Sequence, residues 1–192
     1  MRKSRMEAFS DGVIAIIITI MVLELHAPHE TGIAALRPLI PTFAAYAFSF
    51  LYLGIYWNNH HHLLQAIEHV DGKVLWANLH LLFWLSLVPF VTAWMGQTRY
   101  APVPVALYGA VLLLSALAYT ILTRALISLH GRQSVLASAL GRDVKGYVSL
   151  ALYVVALGLA FVAPLAACAI YVLVAIIWLV PDRRIERKVQ HG

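Results

Sequence analysis

Arg5-Met-Glu-Ala-Phe9-Ser10-Asp11-Gly-Val-Ile-Ala-Ile16-Ile-Ile-Thr19-Ile20-Met-Val-Leu23 is long and apolar enough for a membrane span, yet it carries an acid. Projected at about 100° per residue, Arg5, Phe9, Gly12, Ile16, Thr19 and Leu23 fall along one narrow stripe, and Asp11, Ala15, Ile18 and Val22 form the neighbouring one. A charge inside a bilayer costs roughly 2.5–3.5 kcal/mol on insertion scales unless it is paired or wetted, so Asp11 needs a partner or water. Ser10-Asp11 also reads as a helix N-cap at the membrane boundary. Arg5 and Glu7 already lie in a helical pattern, which puts Asp11 at least a turn inside and favours pairing with Arg5 or with a histidine of the second span.

The composition agrees with a membrane setting. Of 192 residues, 61% are hydrophobic and 12% charged, with a mean hydropathy of +0.79; soluble domains carry about 25% charged residues. This excludes an ordinary soluble domain. Cys168 is the single cysteine and sits in an apolar run, so it forms no intrachain disulfide and reads as a small core residue. The first apolar run leads into Glu24 and Pro28, not a small-residue cleavage site, so no cleavable signal peptide is expected.

Six runs can cross about 30 Å of hydrocarbon, over roughly 6–26, 40–64, 74–96, 102–128, 144–163 and 165–180. Pro28, Pro38, Pro41, Asp71-Gly72, Gly96 to Pro104 and Pro164 punctuate them. Pro41 and Pro164 are expected to open their helices and Pro89 to kink the third. The long fourth connection, His130 to Lys145, has helical character. No repeat relates the halves, so residues 1–192 read as one all-α, six-span membrane domain.

With the amino terminus inside, 12 of the 14 Lys and Arg residues lie on one side, leaving Arg37 and Arg99 outside. Both termini are then cytoplasmic, in the cell membrane. The net charge of +5 reflects topology, not nucleic acid. The basic tail Asp182 to Lys188 reads as a solvated flank that stops transfer, or as a contact with anionic lipid.

The string Arg5-x-x-x-Phe9-Ser10-Asp11 followed by Gly-Val-Ile-Ala-Ile16-x-x-Thr19 resembles the signature of the prokaryotic relatives of the lysosomal potassium channel transmembrane protein 175. The resemblance covers the first twenty-odd residues. It implies a homotetramer of six-helix subunits whose four first helices line a pore for monovalent cations, with K+ as the permeant ion and no cofactor. In that family a branched aliphatic residue five positions after the motif acid narrows the pore. That residue is Ile16 here, with Thr19, Ile20 and Leu23 lining the next layers. The motif residues Arg5, Phe9, Ser10 and Asp11 are then expected in an interhelical network at the inner face, with Trp57, His60, His61, Asn78 and His80 as candidate partners.

Glu24, at the outer end of the same helix, would concentrate cations at a pore mouth, or else be a cap in water. Trp57-Asn58-Asn59-His60-His61-His62 invites a metal or haem reading, but consecutive imidazoles diverge by about 100° on a helix, and neither a His pair at i, i+4 nor a Glu-x-x-His motif is present. No tightly bound metal is expected. Enzymatic chemistry finds little support: there is no Gly-x-Ser-x-Gly elbow, phosphate-cradling glycine loop or pair of carboxylates at bilayer depth. A leak-like, potassium-preferring channel is therefore the main reading. A proton-coupled transporter or small His-ligated metal or haem redox protein is the alternative, and a structural membrane subunit the third class. An aliphatic ring such as Ile16 restricts diameter and dewets a pore without replacing an ion's water, so selectivity should be weak to moderate.

Overall fold

The computed structural model describes residues 3–131, 134, 136, 137 and 143–179. Helix α1, Lys3–Ile20, tightens into a 3-10 turn at Met21–Glu24. A second 3-10 segment, Ile33–Leu39, leads into α2, Ile40–Gln65. Next come α3, Gly72–Ser86, α4, Val88–Gln97, and α5, Pro102–His130. Two shorter helices follow, α6, Val144–Leu159, and α7, Pro164–Leu179. No strand occurs among the described residues.

The helix starts have local causes. Asp71 accepts a hydrogen bond from the Val74 N–H at 2.9 Å and caps α3; Asp143 does the same for Gly146 and caps α6. Pro41, Pro89 and Pro164 each sit in a first turn, where a missing N–H costs nothing. The kink expected at Pro89 is realised as a break at Leu87 that divides the third apolar segment into α3 and α4. The cause is the proline ring, which clashes with the carbonyl four residues earlier and cannot donate to it.

The span from Lys3 to Glu24, and those over Ile33–Gln65, Gly72–Gln97 and Pro102–His130, are long and apolar enough to cross a membrane. The protein is an integral membrane protein. Helix α6 is shorter than the sequence suggests, because it ends at Leu159 and a turn carries the chain to Pro164, whereas α7 has the length expected. Sixteen residues rise only about 24 Å. The residue before a proline is pushed out of helical backbone, so the 144–163 run could not stay helical to its end. Most of the long fourth connection and all of the basic tail lie outside the described residues.

Lipid is as apolar as leucine, so close packing and hydrogen bonds hold such helices together. Helix α5 is central, packing on α3, α4, α6 and α7, while α2 lies along α4. Gly96 makes the α2–α4 approach, since a Cβ there would lie 2.6 Å from the Thr42 Cα. Nearby, the Ser49 hydroxyl bonds to Thr92 at 2.7 Å and to Tyr108 at 2.9 Å, tying α2, α4 and α5 through buried groups. Helix α1 packs on α2 and α3, so only part of its circumference is covered.

Candidate functional site

Two faces of α1 have opposite fates. Met6, Ser10, Ile14, Ile17 and Met21, spaced by three and four residues, are buried against the rest of the chain. On the other side Phe9 is 53% exposed, Ile16 61%, Ile20 41% and Leu23 73%, with Gly12 and Thr19 also open. This uncovered stripe is the one seen in the opening segment. The Thr19 hydroxyl donates to carbonyls of its own helix, with Ala15 O and Ile16 O each at 3.0 Å. Its proton is thereby spent, and the oxygen lone pairs remain to accept. Glu24 is exposed beyond this stripe, and its carbonyl meets His26 Nδ1 at 3.0 Å.

A buried polar chain fixes the other face. Asn78 Nδ2 on α3 donates to Ser10 Oγ at 2.9 Å, and Ser10 passes its proton on to the Met6 carbonyl at 2.8 Å. The Asn78 carboxamide oxygen can only accept, so it takes the N–H of His60 Nε2 at 2.8 Å. His60 Nδ1 is then the acceptor of the neutral ring, and it is buried with no partner among the described residues. Ser10, Asn78 and His60 thus link α1, α3 and α2 in the bundle interior, where an unsatisfied member would carry its full desolvation cost.

A second set of contacts joins α1 to α2 nearer the surface. Trp57 Nε1 donates to Asp11 Oδ1 at 3.0 Å. One turn on, His61 stacks on Trp57, ring centroids 6.0 Å apart, and its Nδ1 lies 3.3 Å from Glu7 Oε1. Gln65 Nε2 donates to the other ring nitrogen at 2.8 Å, which makes Nδ1 the protonated one. Lys3 Nζ reaches the Leu64 and Ile67 carbonyls at 3.1 and 2.7 Å, satisfying the end of α2 with a cation at its negative pole.

Of the residues singled out in the sequence, the structure brings Ser10, Asn78 and His60 together, and separately Asp11 with Trp57. Asp11 sits two turns inside α1, and its partner is the indole, not Arg5 or a histidine. Arg5 is exposed and makes no ion pair among the described residues; six residues before Asp11, it points about 120° away around the helix. His80 is likewise apart, on an exposed face, where it accepts from Trp84 Nε1 at 2.9 Å. Lys3 and Glu7 escaped the sequence reading. Glu7 carried a signal, an acid a turn before Asp11 opposite the histidines ending the next span, whereas nothing marked Lys3.

His60, His61 and His80 thus point to different partners, Asn78, Glu7 and Trp84. Among the described residues no three His, Cys, Asp or Glu side chains converge as metal ligands would. The first helix is instead held on one side by polar bonds and left apolar and uncovered on the other.

Fold and site define a helical membrane protein whose first span is anchored by polar contacts and offers an unfilled apolar face. The family described as endosomal/lysosomal potassium channel TMEM175 matches residues 5–89. A potassium channel of Chryseobacterium sp. (strain P1-3) is 54% identical over 192 residues, covering 100% of both chains. A potassium channel of Streptomyces collinus is 37% identical over 123 residues, 60% of each chain. The crystal structure of a lysosomal potassium-selective channel TMEM175 homolog from Chamaesiphon minutus superposes with a TM-score of 0.82 at 27% identity, covering 94% of this chain and 97% of that one. The chain belongs to the TMEM175 family.

Proposed function

We propose that this protein is a potassium-preferring cation channel, conducting passively through a pore lined by the first helix of each of four identical subunits. The observation that carries the reading is the uncovered stripe of α1, with Ile16 and Leu23 mostly exposed while the opposite face is locked down through Ser10 and Asn78. A span packed on one side and bare on the other has a face left for lipid or for copies of itself. The relatives are named potassium channels, and copies of this face around an axis would supply the ion path such a protein needs.

In this arrangement Ile16 is the narrowest layer, with Thr19, Ile20 and Leu23 stacked outward and Glu24 at the mouth. A cation passes the aliphatic ring partly dehydrated, and the outward lone pairs of Thr19 are the nearest compensation. Potassium sheds water more cheaply than sodium, which gives a modest preference without a carbonyl cage. The placement is the cell membrane with both termini cytoplasmic, following the charge asymmetry. K+ is the permeant ion, and no cofactor or enzymatic step is part of the reading.

The test is flux from liposomes containing the purified protein under a potassium gradient, followed by reversal potentials under paired potassium and sodium solutions. The expected result is passive potassium current exceeding sodium current. Folded protein that reconstitutes without any cation flux would overturn the proposal.

A further inference from the structure

The uncovered stripe of α1 is uncharged along its length, with a base at its amino-terminal end and an acid just past the other. Arg5 is exposed and lies four residues before Phe9 and eleven before Ile16, so all three share one side of the helix. It forms no ion pair or hydrogen bond among the described residues. The acids nearest to it along α1 do not offset its charge, because both turn to α2: Glu7 lies 3.3 Å from His61, and Asp11 takes the Trp57 N–H at 3.0 Å. Lys3 also turns to the end of α2, where its Nζ meets the Leu64 and Ile67 carbonyls. Arg5 is the charged side chain that α1 leaves on its open side.

The backbone adds charge of the same sign at each end. The amino terminus of a helix carries about half a positive elementary charge, and its carboxyl terminus about half a negative one. No acid occupies the first turn of α1 and no base its last, so its own side chains neutralise neither pole. The 3-10 turn that extends it carries Glu24, exposed, and again no base. From Arg5 to Glu24 the helix rises roughly 28 Å, several times the Debye length of about 8 Å at physiological salt. The two ends therefore act on ions independently.

We propose that Arg5 makes the channel rectify: four guanidiniums around the inner mouth hold cations back there while Glu24 gathers them at the outer mouth, so potassium passes inward more readily than outward. The proposal rests on α1 lining a four-fold pore with its amino terminus inside. Helices about 10 Å across, four round an axis, put each charge roughly 7 Å from it. Four such charges, in water and screened at about 0.15 M salt, lower the local potassium concentration roughly fivefold. Current drawn from a mouth follows the concentration there, so outward current falls and inward current does not. The narrow layer at Ile16 lies about 16 Å further along the helix, so the ring acts on conductance and not on the choice between potassium and sodium. Because the mouth is aqueous, the effect fades as salt shortens the Debye length to about 3 Å at 1 M.

Currents through inside-out patches test this, with the same potassium concentration on both faces and neither divalent cations nor polyamines to block the pore. In about 0.1 M potassium the inward current should be at least about twofold the outward one at equal and opposite voltages, and in about 1 M the two should converge. Arg5→Gln should straighten the current–voltage curve, Arg5→Lys should keep it bent, and Arg5→Glu should reverse the bend. Glu24→Gln, at the other end, should lower inward current alone. A straight wild-type curve, or a bend that survives high salt or Arg5→Gln, would overturn the proposal and leave the channel reading standing. Folded protein without any potassium current would overturn both. Where an Arg5 variant fails to fold, the salt dependence of the wild-type curve decides.

Discussion

The indole N–H of Trp57 meets the carboxylate of Asp11 at 3.0 Å, and this bond is what partners the acid of the opening motif, while Glu7 a turn earlier lies against His61. It joins a carboxyl group to a neutral donor at a half-open position, so it is worth less than a buried ion pair.

Trp57→Phe keeps the ring and deletes the donor. It should destabilise the solubilised protein by about 1.5 kcal/mol, the low end for a hydrogen bond to a charged group. Asp11→Asn keeps an acceptor for the indole and should cost less. Thermal melts of both variants check the order. A larger loss in Asp11→Asn would mean that its charge is used by a group outside this chain.

Asn78 supports two neighbours at once. Asn78→Leu is close in size, yet it leaves Ser10 Oγ without its donor and His60 Nε2–H without its acceptor, both buried. Each orphaned group costs about 1–3 kcal/mol, so this variant should be among the most damaging in the bundle. Ser10→Ala orphans only Asn78 Nδ2 and should cost roughly half as much. Melting temperatures measured side by side decide it, and equal small shifts would indicate that water replaces the missing partners.

The spans, their proline starts and the uncovered stripe were legible because each depends on periodicity or on one residue type along a single helix. The partner of Asp11 was not, because it depends on the rotation of α2, which packing on α4 and α5 sets. Once Trp57 faces α1, the rest follows. His61, four residues on, must also face α1 and finds Glu7, while His60 turns toward α3 and finds Asn78. Arg5 and Asp11 looked like a natural pair by charge, and six residues of helix point them apart.

Gly96 is the tightest helix contact. Gly96→Ala places a methyl 2.6 Å from the Thr42 backbone, which cannot swing aside as a side chain would. The α2–α4 contact must open, at about 1–3 kcal/mol for an overpacked site. Gly12→Ala has open space around its Cβ within the subunit and should leave the fold unchanged. A lowered melting temperature for Gly96→Ala alone is the expected result, and indifference to both substitutions would show that the bundle yields there.

The last prediction concerns Ile16 and Thr19, whose exposed side chains carry the proposed pore. Ile16→Asn replaces a branched aliphatic ring by amides that hold water, so an ion crossing there keeps more of its shell, and the difference between potassium and sodium should shrink. Reversal potentials should show sodium permeability rising relative to potassium; unchanged ratios with normal folding would move the narrow layer elsewhere. Thr19→Val is close in volume and removes an oxygen whose proton is committed to the Ala15 and Ile16 carbonyls. Because only its lone pairs are free, losing it should cost little stability and should lower potassium preference if ions touch that oxygen. Stable, equally selective Thr19→Val channels would mean that the hydroxyl serves its own helix alone, and that narrowness at Ile16 carries the selectivity unaided.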